Sequence, residues 1–190
     1  TLTLAFKDPI APGPHRLALA FSGRIGTNPA GIFAVDYSTD DGPRRMLSMQ
    51  LEPADGRRVA PMWDEPAAKA TFTLEVIVPK DLVAFSNMPE AANRVVGDAR
   101  HVRFQTTPRM SSYLLHLSVG DLERVSRIIE GVDVGIVMRK GAGSMGAFAL
   151  DAAAAILPWF NDYFGTPYPL PKLDMIAAPG QSTFFGAMEN

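Results

Sequence analysis

The sequence predicts a mainly β protein, in which an antiparallel β domain is followed by one helix and one further strand. Short segments of alternating apolar and polar residues recur through the first two-thirds of the chain, with glycine, proline, asparagine and aspartate between them. After Gly143 the alternation gives way to apolar residues at helical spacing. The chain is therefore expected to change from strand pairing to helix packing near this point.

The individual strands are predicted from their period of two residues and from the turn residues that bound them. In the second segment, for example, Leu17, Leu19 and Phe21 share one face. Strands this short at hairpin spacing indicate an antiparallel all-β domain. The predicted strands are residues 1–6, 15–22, 32–37, 45–52, 71–78, 82–86, 101–106, 113–119, 123–129 and 133–138.

A helix is predicted over residues 144–164, with Ser144 as its N-cap and Gly165 as its C-terminal stop. Pro158 lies inside it and is expected to kink or divide it. Its apolar stripe is interpreted as core. A strand at 173–178 follows. One helix and one strand are too little for an independent core, so we predict an N-terminal β domain at 1–141 and the beginning of a second domain at 142–190.

The composition is that of a globular protein, with 47% hydrophobic and 20% charged residues over 190 positions. A net charge of −2 gives no basic surface for nucleic acid, and the absence of cysteine excludes disulfides and thiolate metal sites. No apolar run approaches the ~20 residues of a transmembrane helix. His15, His101 and His116 are isolated, so we expect structural or surface roles for them rather than metal binding.

The candidate functional residues lie at the C-terminus and near position 50. Gly186 and Ala187 leave a backbone edge free to pair with another extended chain, and Glu189 can then bind a cation such as a free peptide N-terminus. Gln50 and Glu52 are two residues apart on a predicted strand, so their side chains should share a face and reach the same cation. A solvated strand-end residue is the structural alternative for Glu52.

Several blocks of sequence together resemble the zinc aminopeptidases of the aminopeptidase N type. They follow one another in the order and spacing of that family, although Met62 stands where a cysteine is common. The blocks are Gln50-Leu51-Glu52-Pro53, Pro61-Met62-Trp63-Asp64-Glu65-Pro66, Thr107-Pro108-Arg109-Met110-Ser111-Ser112-Tyr113, Tyr168-Pro169-Leu170-Pro171-Lys172-Leu173-Asp174 and Gly186-Ala187-Met188-Glu189-Asn190.

The resemblance implies a saddle-shaped β domain followed by a thermolysin-like catalytic domain. It implies that the substrate is a peptide with a free N-terminus, whose ammonium is held by Glu52 and Glu189, with Gln50 assisting. Gly186 and Ala187 would pair with the substrate backbone, Met188 would line the first side-chain pocket, and Asn190 would hydrogen-bond the substrate or orient Glu189.

The zinc of such an enzyme is expected outside these residues. The family's His-Glu-x-x-His motif does not occur in the sequence, and we expect it after Asn190, in the remainder of the catalytic domain. The chain itself is then expected to hold no catalytic residue and to bind no zinc. The native N-terminus and the first strands are expected before Thr1, which leaves cytoplasm, cell envelope and secretion open as locations.

Two local features are also predicted around Glu52. The resemblance implies a cis peptide bond between Glu52 and Pro53, for which the base rate among X–Pro bonds is about 5–6%. Arg57 or Arg58 is expected to pair with Asp64 and brace the turn between strands, because arginine–carboxylate pairs order loops well.

Three other functional interpretations stay open at this point. The chain could belong to a non-catalytic family member whose β domain serves as a binding or scaffold module. It could belong to a bifunctional relative of the leukotriene-hydrolase type, although such relatives typically carry Gly-Gly at the terminal motif and glutamine in place of Glu52. A free-standing β-sandwich adhesion domain would have no use for the terminal motif.

Overall fold

The computed structural model describes residues 3–179. Its main elements are ten strands and one helix, which confirms the mainly β class predicted from the sequence. The elements are β1 (Gly31–Thr39), β2 (Gly42–Gln50), β3 (Glu75–Pro79), β4 (Val83–Ser86), β5 (Glu90–Val96), β6 (Ala99–Phe104), β7 (Leu117–Gly120), β8 (Leu122–Ile129), β9 (Val132–Arg139), α1 (Ala147–Phe164) and β10 (Lys172–Ile176).

The strands form three sheets. The largest has the order β1-β2-β7-β4 and is antiparallel throughout. The second, β3-β6-β5, is also antiparallel. In the third, β10-β9-β8, the strands β8 and β9 form a hairpin, whereas β10 runs parallel to β9. The strand predicted at 173–178 thus completes a sheet that begins before residue 141.

Three clusters of buried apolar residues hold the three sheets and the helix together. The first joins β3-β6-β5 to one face of the four-stranded sheet and includes Leu51 and Val102. Another joins the opposite face of that sheet to β8 and β9 through Phe33, Met46 and Val137. The last packs α1 against the outer face of the β10-β9-β8 sheet. The four-stranded sheet is therefore covered on both faces.

The predicted strands at 1–6 and 15–22 are wrong for the residues that the structure describes. Residues 3–25 have no regular secondary structure, and Leu17, Leu19 and Phe21 are exposed. Alternation gives a strand a face to bury, but a strand also needs a neighbour to satisfy its backbone groups, and no strand of the described chain pairs with this segment. Its apolar side chains accordingly remain in solvent.

Three further strand predictions need correction. β3 begins at Glu75 rather than at residue 71, and β2 ends at Gln50 rather than at residue 52. β7 begins at Leu117 rather than at residue 113, because Ser112–Leu114 form a 3₁₀ turn. β5 was not predicted, since its residues are all exposed and show no apolar alternation. β5 forms because β6 offers it a hairpin partner, so pairing decides its conformation and burial does not.

The helix differs from its prediction at its start and on its surface. A 3₁₀ turn, Gly143–Gly146, precedes it, and Gly146 rather than Ser144 occupies the N-cap, without a side-chain cap. Helical structure continues through Pro158, and Gly165 ends it in a left-handed conformation (φ 63°), which confirms the predicted stop.

The apolar stripe of the helix was predicted to be core, and this prediction is wrong for most of it. Leu150 and Leu157 are buried, because α1 lays a single face on the sheet. The larger side chains are exposed, and Trp159 and Tyr163 stack on each other with centroids 5.0 Å apart. The exposed members of the stripe are Met145, Phe148, Ile156, Trp159, Phe160 and Tyr163.

By length and composition, the segment Gly143–Phe164 would be able to cross a membrane. The prediction that no apolar segment approaches that length is therefore wrong. The helix packs Leu150 and Leu157 on the sheet and leaves most of its other apolar side chains exposed, and a single helix of this kind is weak evidence for a membrane span.

Candidate functional site

The first candidate residues lie where β2 ends. Gln50 is the last residue of β2 and pairs with Gly31 of β1. Leu51 is fully buried, and Glu52 after it is half-buried. Because the strand ends at Gln50, the alternation that was expected to place Gln50 and Glu52 on one face does not extend to Glu52. The Glu52–Pro53 peptide bond is cis, which confirms that prediction.

Gln50 has an unusual environment for a polar side chain. It is 6% exposed, and its amide nitrogen Nε2 is buried without a hydrogen-bond partner among the residues that the structure describes. Leaving a buried donor unsatisfied costs about 1–3 kcal/mol, so such a group calls for a partner such as an ordered water or a bound ligand. The Nε2 of Gln50 therefore has capacity for one hydrogen-bond acceptor.

A braced loop follows Glu52 and fixes the direction in which the chain leaves the sheet. The Asp55 N–H donates to the Leu51 carbonyl (2.8 Å), and a 3₁₀ turn, Gly56–Arg58, comes next. The carboxylate of Asp64 accepts hydrogen bonds from the Arg57 N–H (3.0 Å), the Arg57 Nε (2.9 Å) and the Ser112 hydroxyl (3.0 Å). The predicted pairing of Arg57 with Asp64 is thus confirmed.

Position 56, in the loop braced by Arg57 and Asp64, has no room for a side chain. A Cβ on Gly56 would lie 2.8 Å from Asp64 Oδ1 and 2.8 Å from the Met62 sulfur. Arg58 points away from Asp64 and pairs with Asp55.

Burial alone would raise the pKa of Asp64, but the hydrogen bonds from Arg57 and Ser112 outweigh it and hold the pKa of Asp64 below its ordinary value.

We expect Asp64→Ala to lower the free energy of unfolding by about 2 kcal/mol, because the Arg57 N–H and the Ser112 hydroxyl lose a charged acceptor. The depressed pKa makes this contribution fully present above about pH 4, and it is lost as the pH falls through the folded-state pKa of Asp64. Urea unfolding at pH 7 and at pH 3 checks both statements. Asp41→Ala, in the exposed turn before β2, is the matched control, and an Asp64→Ala variant as stable as that control would contradict the brace.

A row of buried polar residues extends from Gln50 across the four-stranded sheet. Ser48 shares a face with Gln50 on β2, and its hydroxyl lies 3.5 Å from that of Ser118 on β7. Ser118 in turn lies 2.8 Å from Nε2 of His116. Burial lowers the pKa of His116 to about 4, and the positive charge of Lys172 contributes in the same direction. His116 is therefore neutral at pH 7, as a structural histidine should be.

Four ionic residues on the β10-β9-β8 sheet were missed by the sequence analysis. Arg124 lies 2.8 Å from Asp174 and 3.0 Å from Asp133, and Lys172 lies 2.7 Å from Asp174. Lys172 and Asp174 were quoted as part of a sequence block, without a role. The sequence does carry a signal for two of them. Lys172 and Asp174 have opposite charges and are two residues apart in a segment whose other residues are apolar.

The terminal candidates, Gly186, Ala187, Met188, Glu189 and Asn190, lie outside the described residues. The structure therefore does not relate them to Gln50 or Glu52. Within residues 3–179, no group of three or more histidine, cysteine, aspartate or glutamate residues could hold a metal ion. These described residues do not fit a zinc site.

Family models match most of the chain. The peptidase M1 N-terminal domain matches residues 1–114, and the peptidase family M1 domain matches residues 148–190. The mainly β fold therefore corresponds to the N-terminal domain of a peptidase, and the last residues correspond to the start of its catalytic domain. The chain belongs to the peptidase M1 family.

Curated relatives agree with this assignment over the entire chain. Aminopeptidase N of Acetobacter pasteurianus is 46% identical over 192 residues, which cover 100% of this chain and 54% of the relative. Aminopeptidase M1 of Arabidopsis thaliana is 41% identical, and aminopeptidase 2 of Candida albicans is 38% identical. Each of these two is matched over 100% of this chain and 21% of its own length. The chain thus spans between about a fifth and about half of these relatives.

Proposed function

We propose that this chain recognises the free N-terminus of peptide substrates in an aminopeptidase that removes single residues by metal-assisted hydrolysis. The observation that carries the proposal is the environment of Glu52 and Gln50. Glu52 is half-buried and, among the described residues, forms no ion pair within 4.0 Å. A carboxylate in this environment suits a substrate ammonium that loses its water on binding. Gln50, two positions earlier, can add its amide oxygen as an acceptor, whereas its Nε2, which has no partner among the described residues, is a donor and would need an acceptor such as a substrate carbonyl.

The role proposed for each residue follows from the need of an exopeptidase to bind the N-terminus of its substrate. Glu52 and Glu189 bind the substrate ammonium, and Gln50 supports them. Fixing the amine sets the distance to the peptide bond that reacts, so that the first bond is selected by position. Gly186 and Ala187 pair with the substrate backbone as an added strand, Met188 contacts the first side chain, and Asn190 hydrogen-bonds the substrate or orients Glu189.

The ligands of the zinc of the complete protein are proposed to lie outside residues 3–179. The contribution of the present chain is to bind and orient the substrate.

Hydrolysis of a blocked and an unblocked substrate by the complete protein tests the proposed function. An aminoacyl p-nitroanilide with a free amine should be cleaved, whereas its N-acetylated form should not, because acetylation removes the positive charge that Glu52 and Glu189 bind. Equal cleavage of the two substrates would contradict recognition of the N-terminus. Loss of cleavage of both, with the complete protein folded and supplied with zinc, would favour a non-catalytic binding module.

A separate prediction concerns the 190-residue chain expressed alone. We expect it to hold no stoichiometric zinc and to show no turnover, because a zinc site needs three or four convergent ligands and the sequence offers three isolated histidines. Metal analysis of the purified chain, combined with the aminoacyl p-nitroanilide assay, checks this. One tightly held zinc per chain, or measurable turnover, would show that the catalytic groups have been assigned to the wrong part of the protein.

A further inference from the structure

We propose that Gln50 and His116 hold one buried water molecule between them, and that this water fixes the orientation of the Gln50 amide. Both side chains are buried, with 6% and 9% of their surface exposed. Each has a buried nitrogen without a hydrogen-bond partner among residues 3–179, namely Nε2 of Gln50 and Nδ1 of His116. The water site rests on these contacts alone, whereas its effect on substrate binding rests on the function proposed above.

The pairing of β2 with β7 places the two residues opposite each other. Ser48 and Ser118 are opposite in this antiparallel register, and their hydroxyls lie 3.5 Å apart. Two residues further along β2 and two residues back along β7, the same register places Gln50 opposite His116, the residue before β7. Opposite residues share a face of the sheet and have Cβ atoms about 4.5–5.5 Å apart. Their side-chain nitrogens are therefore within the span of one bridging water.

The two nitrogens need a group that accepts a hydrogen bond on one side and donates one on the other. Nε2 of Gln50 is a donor only. His116 is neutral, because burial holds its pKa at about 4, so one ring nitrogen carries a hydrogen and the other accepts. Nε2 of His116 lies 2.8 Å from the Ser118 hydroxyl, and when it donates to that hydroxyl, Nδ1 is the acceptor. A water that accepts from Gln50 and donates to His116 satisfies both groups.

His116 is the fixed member of the pair. Its backbone N–H donates to Oδ1 of Asn87 (2.8 Å), and its carbonyl accepts from the Ser86 hydroxyl (2.7 Å). Its ring is held by Ser118. The terminal torsion of a glutamine is broad and roughly two-fold, so the amide of Gln50 can turn over unless a partner selects one orientation. The position of His116 therefore sets the orientation of Gln50, rather than the reverse.

This orientation matters because the two ends of an amide have opposite polarity. With Nε2 of Gln50 bonded to the water on His116, its Oε1 is directed away from His116. The oxygen is the end that accepts a hydrogen bond from an ammonium, whereas the NH₂ end is a donor and repels a cation. The structure thus assigns His116 the part of a positioning residue, which acts on the substrate amine through Gln50.

The crystal structure of the complete protein, at a resolution that shows ordered water, tests the site itself. We expect one water within about 3.2 Å of both Nε2 of Gln50 and Nδ1 of His116. A direct hydrogen bond between the two side chains, a different group in that position, or no water there would overturn the proposal. This measurement does not depend on the proposed function.

Two variants of His116 that keep different ring positions test the orienting role. Asparagine ends where Nδ1 of histidine lies, so His116→Asn keeps an acceptor for the water. Glutamine reaches the position of Nε2, so His116→Gln keeps the contact with Ser118 but loses that acceptor. His101→Gln is the matched control, because it makes the same change on β6, in a sheet that contains neither β2 nor β7.

Calorimetry on the complete, zinc-bound protein compares an amino-acid hydroxamate with the same hydroxamate without its amine. For His116→Gln we expect affinity for the amine-bearing probe to fall about fivefold, with no change for the other probe, because a misdirected Gln50 loses one hydrogen bond to the ammonium. His116→Asn should remain within about twofold of the wild type. His101→Gln should bind both probes as the wild type does.

The outcomes separate the positioning role from the proposed function. A wild type that binds both probes equally would contradict recognition of the amine by this chain. A wild type that prefers the amine, with equal losses in His116→Asn and His116→Gln or with a loss for both probes, would leave the proposed function standing and overturn the role of His116. If His116→Gln does not yield folded protein, Ser118→Ala gives the same comparison, because it removes the acceptor that keeps the hydrogen on Nε2 of His116.

Discussion

Replacing Glu52 with alanine in the complete protein is expected to lower kcat/KM for unblocked peptide substrates by about 10–150-fold. The half-buried carboxylate of Glu52 would lose its charge-assisted hydrogen bond to the substrate ammonium. Such a bond to a desolvated cation is worth about 1.5–3 kcal/mol. Glu189→Ala is expected to produce a loss of the same order, since both carboxylates bind the same group in the proposed function.

Two controls separate this effect from a change in folding. Glu75→Ala removes an exposed glutamate that pairs with Arg103 on the neighbouring strand (3.2 Å), and it should leave kcat/KM unchanged. Glu52→Gln keeps the shape and an acceptor oxygen but loses the charge, so its activity should lie between those of Glu52→Ala and the wild type. The urea midpoint of Glu52→Ala should match the wild type. Wild-type kcat/KM in Glu52→Ala would remove Glu52 from the amine site.

The parts of the fold that the sequence predicts well are those in which local pattern and tertiary packing agree. The hairpin of β1 and β2 is an example, because its alternating segments flank Asp41-Gly42 and both bury one face. The helix end at Gly165 and the cis bond at Glu52–Pro53 were also predicted correctly. For the hairpin and the helix end the deciding residues are neighbours in sequence, whereas the cis bond was implied by the family resemblance.

Features that depend on distant partners were predicted less well. Residues 15–22 alternate but find no neighbouring strand, whereas β5 lacks alternation and forms a strand on β6. The ion pair of Arg124 with Asp174 needs the parallel register of β9 and β10. That register relates residues about 40 positions apart in the chain, and nothing in the local sequence specifies it.

The candidate site also has features that the sequence predicts and features that depend on distant partners. Gln50 and Glu52 could be proposed from their sequence block, because the resemblance carries both residue type and spacing. The burial of Gln50 and the polar row through Ser118 to His116 depend on the packing of β7 beside β2, and so does the amide nitrogen of Gln50 that has no partner among residues 3–179. A serine or an isolated histidine carries too little sequence signal to indicate a neighbour on another strand.

Acidification from pH 7 to pH 4 is expected to lower the free energy of unfolding of the chain by about 3 kcal/mol through His116 alone. Burial holds the pKa of His116 at about 4 in the folded protein, whereas an unfolded histidine titrates near pH 6.5. Between these values the unfolded chain binds a proton that the folded chain does not. Stability is therefore complete above about pH 6.5 and falls as the pH drops toward 4.

Urea unfolding followed by circular dichroism at pH 7, 5.5 and 4.5 measures this dependence, and His116→Gln isolates its source. Glutamine can keep a hydrogen bond to the Ser118 hydroxyl but does not titrate. The variant should therefore be less stable than the wild type at pH 7, because its fit is poorer, but its stability should change much less between pH 6.5 and 4.5. The two curves should converge as the pH falls, since the wild type loses the contribution of neutral His116. Parallel curves would show that acid destabilisation has another origin. Convergence would establish that His116 is buried as the neutral imidazole between β2 and the ionic residues of β10.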